Sequence, residues 1–211
     1  MDLYFAPLAC SMATRIALHE AGAGARFVET DVRAKRVEGG DFLAVNPLGQ
    51  VPVLRLEDGT TLTENVAILS YVSDRFPEAG LMPPLGDPAR YEVLRWLAFI
   101  TSELHKLVFT PLLAGDAPQG AKDFALAKAG PRFAMLDRHL AGRTFLLDRF
   151  TAADAYLVTV LNWAAYTPLD LSAWPAVAAY VAAMKERPSV RRALAEEVAL
   201  YRAAQARQRA A

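Results

Sequence analysis

Residues 51–76, VPVLRLEDGTTLTENVAILSYVSDRF, decide how the first part of the chain folds. Val51 to Leu56 reads as a strand with a proline near its start. Glu57-Asp58-Gly59 is a turn signal, and Thr60 to Leu62 pairs back as a hairpin. Glu64 to Phe76 then takes up helical period, with Val66, Leu69, Val72 and Phe76 forming an apolar face. Upstream, Leu3-Tyr4-Phe5 is a short apolar strand that Pro7 breaks. Ser11 to Ala21 is a helix ended by Gly22 and Gly24, and Phe27 to Val32 is a second strand. A polar loop through Arg33-Ala34-Lys35-Arg36 and Gly39-Gly40 leads back to Val51. The order is β-α-β, loop, β-β-α, an α/β domain over residues 1–77.

Downstream the grammar changes. From Pro77 to Pro88 there are four prolines and two glycines, which marks residues 78–88 as a linker. Residues 89–211 carry only helical periods, an all-α domain. Tyr91, Leu94, Trp96 and Phe99 start one helix, and Phe124 to Leu140 is another that Gly130-Pro131 should kink or divide. Thr151 to Tyr166, Trp174 to Met184 and Val190 to Ala206 complete the set. Phe150-Thr151-Ala152-Ala153-Asp154 places a threonine N-cap before an acidic N3 residue, with Phe150 as the staple. Asp154 is therefore read as a folding device.

Composition narrows the function classes. The 211 residues are 54% apolar, enough for a sizeable core, and their formal net charge is zero. A general nucleic-acid binder would carry a basic excess. The single cysteine, Cys10, rules out an internal disulfide and a cysteine-rich zinc site, and no metal is expected. The N-terminus lacks the basic and long apolar regions of a signal peptide. Asn162, Pro168, Asp170 and Pro175 interrupt the most apolar stretch, Ala155 to Met184, so no membrane span is expected. The expected compartment is the cytoplasm.

Five stretches carry a family resemblance: LYFAPLACSMATRIAL, FLAVNPLGQVPVL, LTENVAI, SELHK and FTAADAYL. Together they span nearly the whole chain, and it resembles a beta-class bacterial glutathione transferase. The resemblance implies the cytosolic glutathione transferase architecture, a thioredoxin-like N-terminal domain followed by an all-helical one. It also implies a homodimer, with glutathione as co-substrate and a role in detoxification.

Glutathione is an acidic tripeptide with a thiol, and each part needs a partner. Its extended backbone can pair with Val51 by strand addition. The resemblance implies a cis bond between Val51 and Pro52. Glu64 can pair the γ-glutamyl ammonium, and the backbone at Asn65, opening a helix, can bind its carboxylate. Thr63 can alternatively cap that helix. Lys35 matches the family's cation for the glycyl carboxylate, flanked by Arg33 and Arg36. Relatives commonly carry a small residue where this chain has Asn65, and asparagine where it has Ala98, so one amide contact should be missing.

A free thiol with pKa near 8.5 is only about 3% ionised at pH 7; lowering it by two units takes about 2.7 kcal/mol. Cys10 and Ser11 sit where the first strand hands over to the first helix, and either can donate to a bound thiolate. Cys10 can equally form a mixed disulfide with glutathione or stand by. In SELHK, Ser102 and His105 share a helical face at i, i+3, and the resemblance brings Ser102, Glu103 and His105 to glutathione. His105 would stabilise the thiolate or take its proton. Phe109, Trp163 and Tyr166 are candidates to line a pocket for the hydrophobic electrophile. Two other functions use the same residues. One is a glutathione-dependent monothiol disulfide oxidoreductase or peroxidase acting through Cys10, which has no C-x-x-C partner. The other is a non-catalytic binding module.

Overall fold

A computed structural model describes residues 1–210, with side chains described through residue 206. They form two compact units, one of residues 1–80 with the C-terminal helix from Pro188, the other of Leu81–Arg187.

The first unit is thioredoxin-like. Its elements are β1 (Asp2–Phe5), α1 (Met12–Glu20), β2 (Arg26–Asp31), β3 (Arg36–Val37), β4 (Gly40–Asp41), a 3₁₀ turn at Phe42–Ala44, β5 (Val53–Arg55), β6 (Thr61–Thr63) and α2 (Asn65–Arg75). The sheet order is β4-β3-β2-β1-β5-β6. Only β1 and β2 run parallel, with Leu3 opposite Phe27, because α1 makes the crossover between them. Leu3 also faces Leu54 of antiparallel β5, so these two side chains share a sheet face. That face is buried with Met12 and Ile16 of α1 and Ile68 and Val72 of α2. The opposite face holds Tyr4, Val28 and Val53, and Phe42 packs against them. Burying a side chain such as Phe42 contributes about 2–3 kcal/mol. The loop expected between Asp31 and Phe42 contains the β3–β4 hairpin, two residues on each side. Strands that short leave no alternation to read, and their arginines and glycines look like loop.

The second unit is all-helical. α3 (Ala89–Phe99) runs directly into a π-helical segment, Ile100–Phe109, followed by α4 (Thr110–Leu113), α5 (Gln119–Leu140), α6 (Ala152–Leu161), a 3₁₀ stretch Asn162–Tyr166, and α7 (Pro175–Glu186). Of the kink or division expected at Gly130-Pro131, division does not occur: α5 is one continuous helix through them. Ala125, Ala129, Phe133, Leu136 and Leu140 form its buried stripe, and their packing offsets the backbone bond that proline removes.

Asp154 anchors α6. Its Oδ2 accepts from the Thr151 amide and hydroxyl, both at 2.9 Å, as a capping acid would. Its Oδ1 accepts from the Leu146 amide and the Tyr180 hydroxyl, also at 2.9 Å each. Burial pushes its carboxyl pKa up, and the four donors oppose that.

The last helix, α8 (Pro188–Ala210), groups with the sheet unit, whereas its composition assigned it to the helical domain of residues 89–211. Ser189, Val190, Ala193 and Glu197 make its buried stripe, and it packs on α1. A helix reads the same in sequence whichever unit receives its apolar side.

Candidate functional site

In the first unit the bond between Val51 and Pro52 is cis. Val51's carbonyl accepts from the Cys10 thiol at 3.1 Å. Cys10 lies half-buried in the turn between β1 and α1. Its own carbonyl accepts from the Asn65 side-chain amide at 3.1 Å. The Asn65 carbonyl oxygen in turn accepts from the Thr14 hydroxyl at 3.3 Å. Cys10, Val51 and Asn65 are thus one hydrogen-bonded group drawn from three segments. Asparagine at 65 braces α1 against α2, work that a serine or glycine would lack the reach to do.

Glu64 precedes α2 with φ 67° and ψ 123°, a conformation that side-chain-bearing residues rarely adopt. Its side chain is exposed, and no side chain caps α2. The Thr63 cap considered from sequence is therefore not formed. The helix presents its first amides beside a carboxylate held by a strained backbone, and such outliers concentrate at functional sites.

Lys35 also has positive φ, 56°, and its ammonium donates to the Gly49 carbonyl at 3.0 Å. Gly49, with φ 58°, lies directly under it. A Cβ there would come within 2.6 Å of Lys35 Cδ. Asn46 shapes the same loop, donating to the Gln50 carbonyl at 2.7 Å and accepting from the Leu48 amide at 3.2 Å. Lys35 is therefore carried on the segment leading to Val51. Neither Gly49 nor Asn46 figures among the sequence-based candidates, although the Asn46-Pro47 dipeptide is a turn signal.

Ser11 departs from expectation. It is 0% exposed, and its hydroxyl lies 3.3 Å from both the amide and the carbonyl of Ala6. A hydroxyl closing the turn from within does not donate to a thiolate, so Ser11 supports the Cys10 turn.

In the second unit, the π-helical hydrogen bonding around Ser102–His105 changes the expected geometry. With i→i+5 bonds, residues four and five apart share a face. Ile100, Leu104, Val108 and Phe109 are the buried side. Ser102 is exposed and donates to the Ala98 carbonyl at 3.0 Å, while His105 is half-buried, so the i, i+3 pairing does not hold. Glu103 is fixed by Arg132, whose Nε donates to Oε2 at 2.7 Å. His105 Nδ1 shares a 2.6 Å hydrogen bond with the Tyr156 hydroxyl, and its ring stands edge-on to Trp163 with centroids 4.9 Å apart. Burial, with a smaller contribution from Lys106, pushes the imidazole down to about 4. His105 is therefore neutral at pH 7 and a weak proton acceptor.

The expected electrophile-pocket residues divide. Phe109 is 0% exposed and packs edge-on against Phe133 and Trp163, so it belongs to the core. Trp163 is 6% exposed, and Tyr166 is 57% exposed. The other two histidines are structural, as expected. His139 Nε2 meets the Leu146 carbonyl at 2.7 Å, and His19 Nε2 meets Glu196 at 3.0 Å.

Comparison with known proteins shows the family. Residues 1–74 match the family model described as Glutathione S-transferase, N-terminal domain, and residues 119–183 the one described as Glutathione S-transferase, C-terminal domain. Glutathione S-transferase GstA of Escherichia coli O157:H7 is 43% identical over 199 residues, covering 93% of this chain and 98% of that protein. A sphingomonad glutathione S-transferase solved with glutathione superposes with TM-score 0.89 at 44% identity, over 93% of this chain and 98% of that one. A beta-class glutathione S-transferase of Sphingomonas chungbukensis gives TM-score 0.89 at 42% identity, with the same coverage. The chain belongs to the bacterial beta-class glutathione S-transferases.

Proposed function

We propose that this protein is a glutathione transferase that joins the glutathione sulfur to small hydrophobic electrophiles. One observation carries the reading: Cys10, Val51 and Asn65 form a hydrogen-bonded group at the start of α1, with the cis peptide on one side and Glu64 beside it. Val51 offers backbone pairing to an extended peptide, and its carbonyl has a second lone pair while accepting from Cys10. Glu64 takes the ammonium, the α2 amides take the γ-glutamyl carboxylate, and Lys35 takes the glycyl carboxylate. The N-terminus of α1 and a donor such as Cys10 favour the bound thiolate. The thiol loses its proton, and the sulfur then attacks the electrophilic carbon as a leaving group departs. In the second unit we assign His105 the part of a neutral hydrogen-bonding group, and Trp163 and Tyr166 that of residues lining the electrophile.

A second reading rests on Cys10 being half-buried. Its thiolate attacks a glutathionylated disulfide and releases the substrate thiol. A second glutathione then resolves the mixed disulfide, giving glutathione disulfide. Calorimetry with glutathione, followed by conjugation and deglutathionylation assays on the native protein and Cys10→Ala, separates the two. We expect Cys10→Ala to keep binding, to conjugate more slowly for want of that donor, and to lose deglutathionylation. Conjugation lost with Cys10 would make that thiol essential, and no glutathione binding by the native protein would end both readings.

Gly49→Ala tests the Lys35 assignment. The added methyl displaces the lysine and sits at positive φ, costing about 1–2 kcal/mol of stability. We expect glutathione to bind several-fold more weakly in both Gly49→Ala and Lys35→Ala, with the double variant no weaker than either single one. Full additivity in calorimetry would separate the two residues. We further propose a homodimer acting in the cytoplasm in detoxification. No helix among the described residues is long and apolar enough to cross a membrane.

A further inference from the structure

The turn that carries Cys10 is held from a distance. Leu8, in the middle of it, is buried and has φ 61°, an uncommon conformation for a leucine. Its amide donates at 2.6 Å to Oε2 of Glu197, 189 residues further along, on α8. Glu197 is completely buried. Its other oxygen accepts from Arg15 Nε at 2.9 Å. Arg15 lies on α1 just beyond Cys10, and its guanidinium is sandwiched between the rings of Phe5 and Phe27, 4.3 and 3.9 Å from their centroids. One carboxylate thus binds both the strained backbone before Cys10 and the helix after it. Burial pushes the Glu197 carboxyl up to about 7, and Arg15 and the Leu8 amide oppose that, so the contacts that hold the turn also favour its carboxylate form.

We propose that Glu197 is a positioning residue for the site: it sets the conformation of residues 6–11 and thereby the placement and accessibility of the Cys10 thiol. Glu196, the adjacent residue, provides a built-in comparison. It binds Arg15 Nη1 at 2.9 Å, His19 Nε2 at 3.0 Å and Arg192 Nε at 2.8 Å. None of these belongs to the turn. Both acids tie α8 to α1, but only Glu197 reaches Leu8. The proposal rests on the Cys10 end being the thiol end of the glutathione site, but its first readout does not. Cys10 is the sole cysteine, so its alkylation by iodoacetamide reports the turn directly.

The experiment compares Glu197→Ala, Glu197→Leu and Glu196→Ala in the full chain. Alkylation rate, hydrogen exchange at the Leu8 amide, KM and kcat for glutathione, and thermal melting are measured. Losing a hydrogen bond to a charged group is expected to speed alkylation about tenfold or more in Glu197→Ala, with a comparable rise in KM and a smaller change in kcat. Glu196→Ala should change alkylation and KM less than about twofold, although it also loses ion pairs. Equal effects from both acids, or unchanged alkylation in Glu197→Ala, would overturn the proposal and leave Glu197 as an ordinary interhelical tie. If Glu197→Ala does not fold, Glu197→Leu, which fills much of the space and accepts nothing from the Leu8 amide, decides. Faster alkylation and Leu8 exchange with a cooperative melt uphold the role, and rates equal to the native protein's refute it. A native protein that binds no glutathione would defeat the proposed function while leaving the alkylation comparison valid.

Discussion

Replacing Asp154 with alanine is expected to lower the melting temperature by about 8–16 °C, the largest stability loss of any substitution considered. The carboxylate satisfies four donors at once: the Leu146 amide, the Thr151 amide and hydroxyl, and the Tyr180 hydroxyl. The site is buried, so water does not replace it freely. Leaving such donors unpaired costs about 1–3 kcal/mol each, and partial relaxation brings a realistic total near 4 kcal/mol. For a chain of this size each kcal/mol moves the midpoint by about 2–4 °C. Asp154→Asn should lose nearly as much, because its amide nitrogen turns a donor toward one pair of donors. A melting shift below about 3 °C for Asp154→Ala would show that the helix start is held by its hydrophobic contacts instead. Glutathione affinity at 25 °C should be unchanged in whatever fraction stays folded, since none of the groups that these bonds join is assigned to the ligand.

The largest effect on binding is expected at Glu64. Glu64→Ala should weaken glutathione about 10–100-fold in calorimetry, from loss of one charge-assisted hydrogen bond to the ammonium. Stability should barely move, since the side chain is exposed and caps nothing. Glu64→Gln keeps an acceptor without the charge and should fall between. A glutathione analogue lacking the amino group gives the sharper test. It should bind the native protein and Glu64→Ala with the same affinity; a persistent difference would remove Glu64 from the ammonium.

The sequence allowed much of the first unit to be read, because turn chemistry and strand alternation are local signals. Gly59 sets the β5–β6 turn, and Pro52 marks the strand entry beside Cys10. Other features depend on direction or distance. Ser11 has the right residue type and the right position, yet its hydroxyl points back to Ala6, which only the path of the turn decides. Phe109 has the right chemistry for a pocket and is fully buried. The i, i+3 pairing of Ser102 and His105 assumed an α-helix. A π-helical segment uses the same residues at a wider pitch, and no composition rule distinguishes the two. Glu197 was not visible at all, because its partner Leu8 lies 189 positions away and neither residue sits in a motif.

Leu8, Lys35 and Glu64 are the non-glycine residues with positive φ among the described ones, and all three lie around the candidate site. Glycine at any of them would relieve the backbone. A laboratory selection for heat resistance alone would therefore be drawn to these codons, and the variants it enriched would keep their fold while losing substrate. An engineer seeking a hardier catalyst from this scaffold has reason to hold the three positions fixed and spend mutations elsewhere.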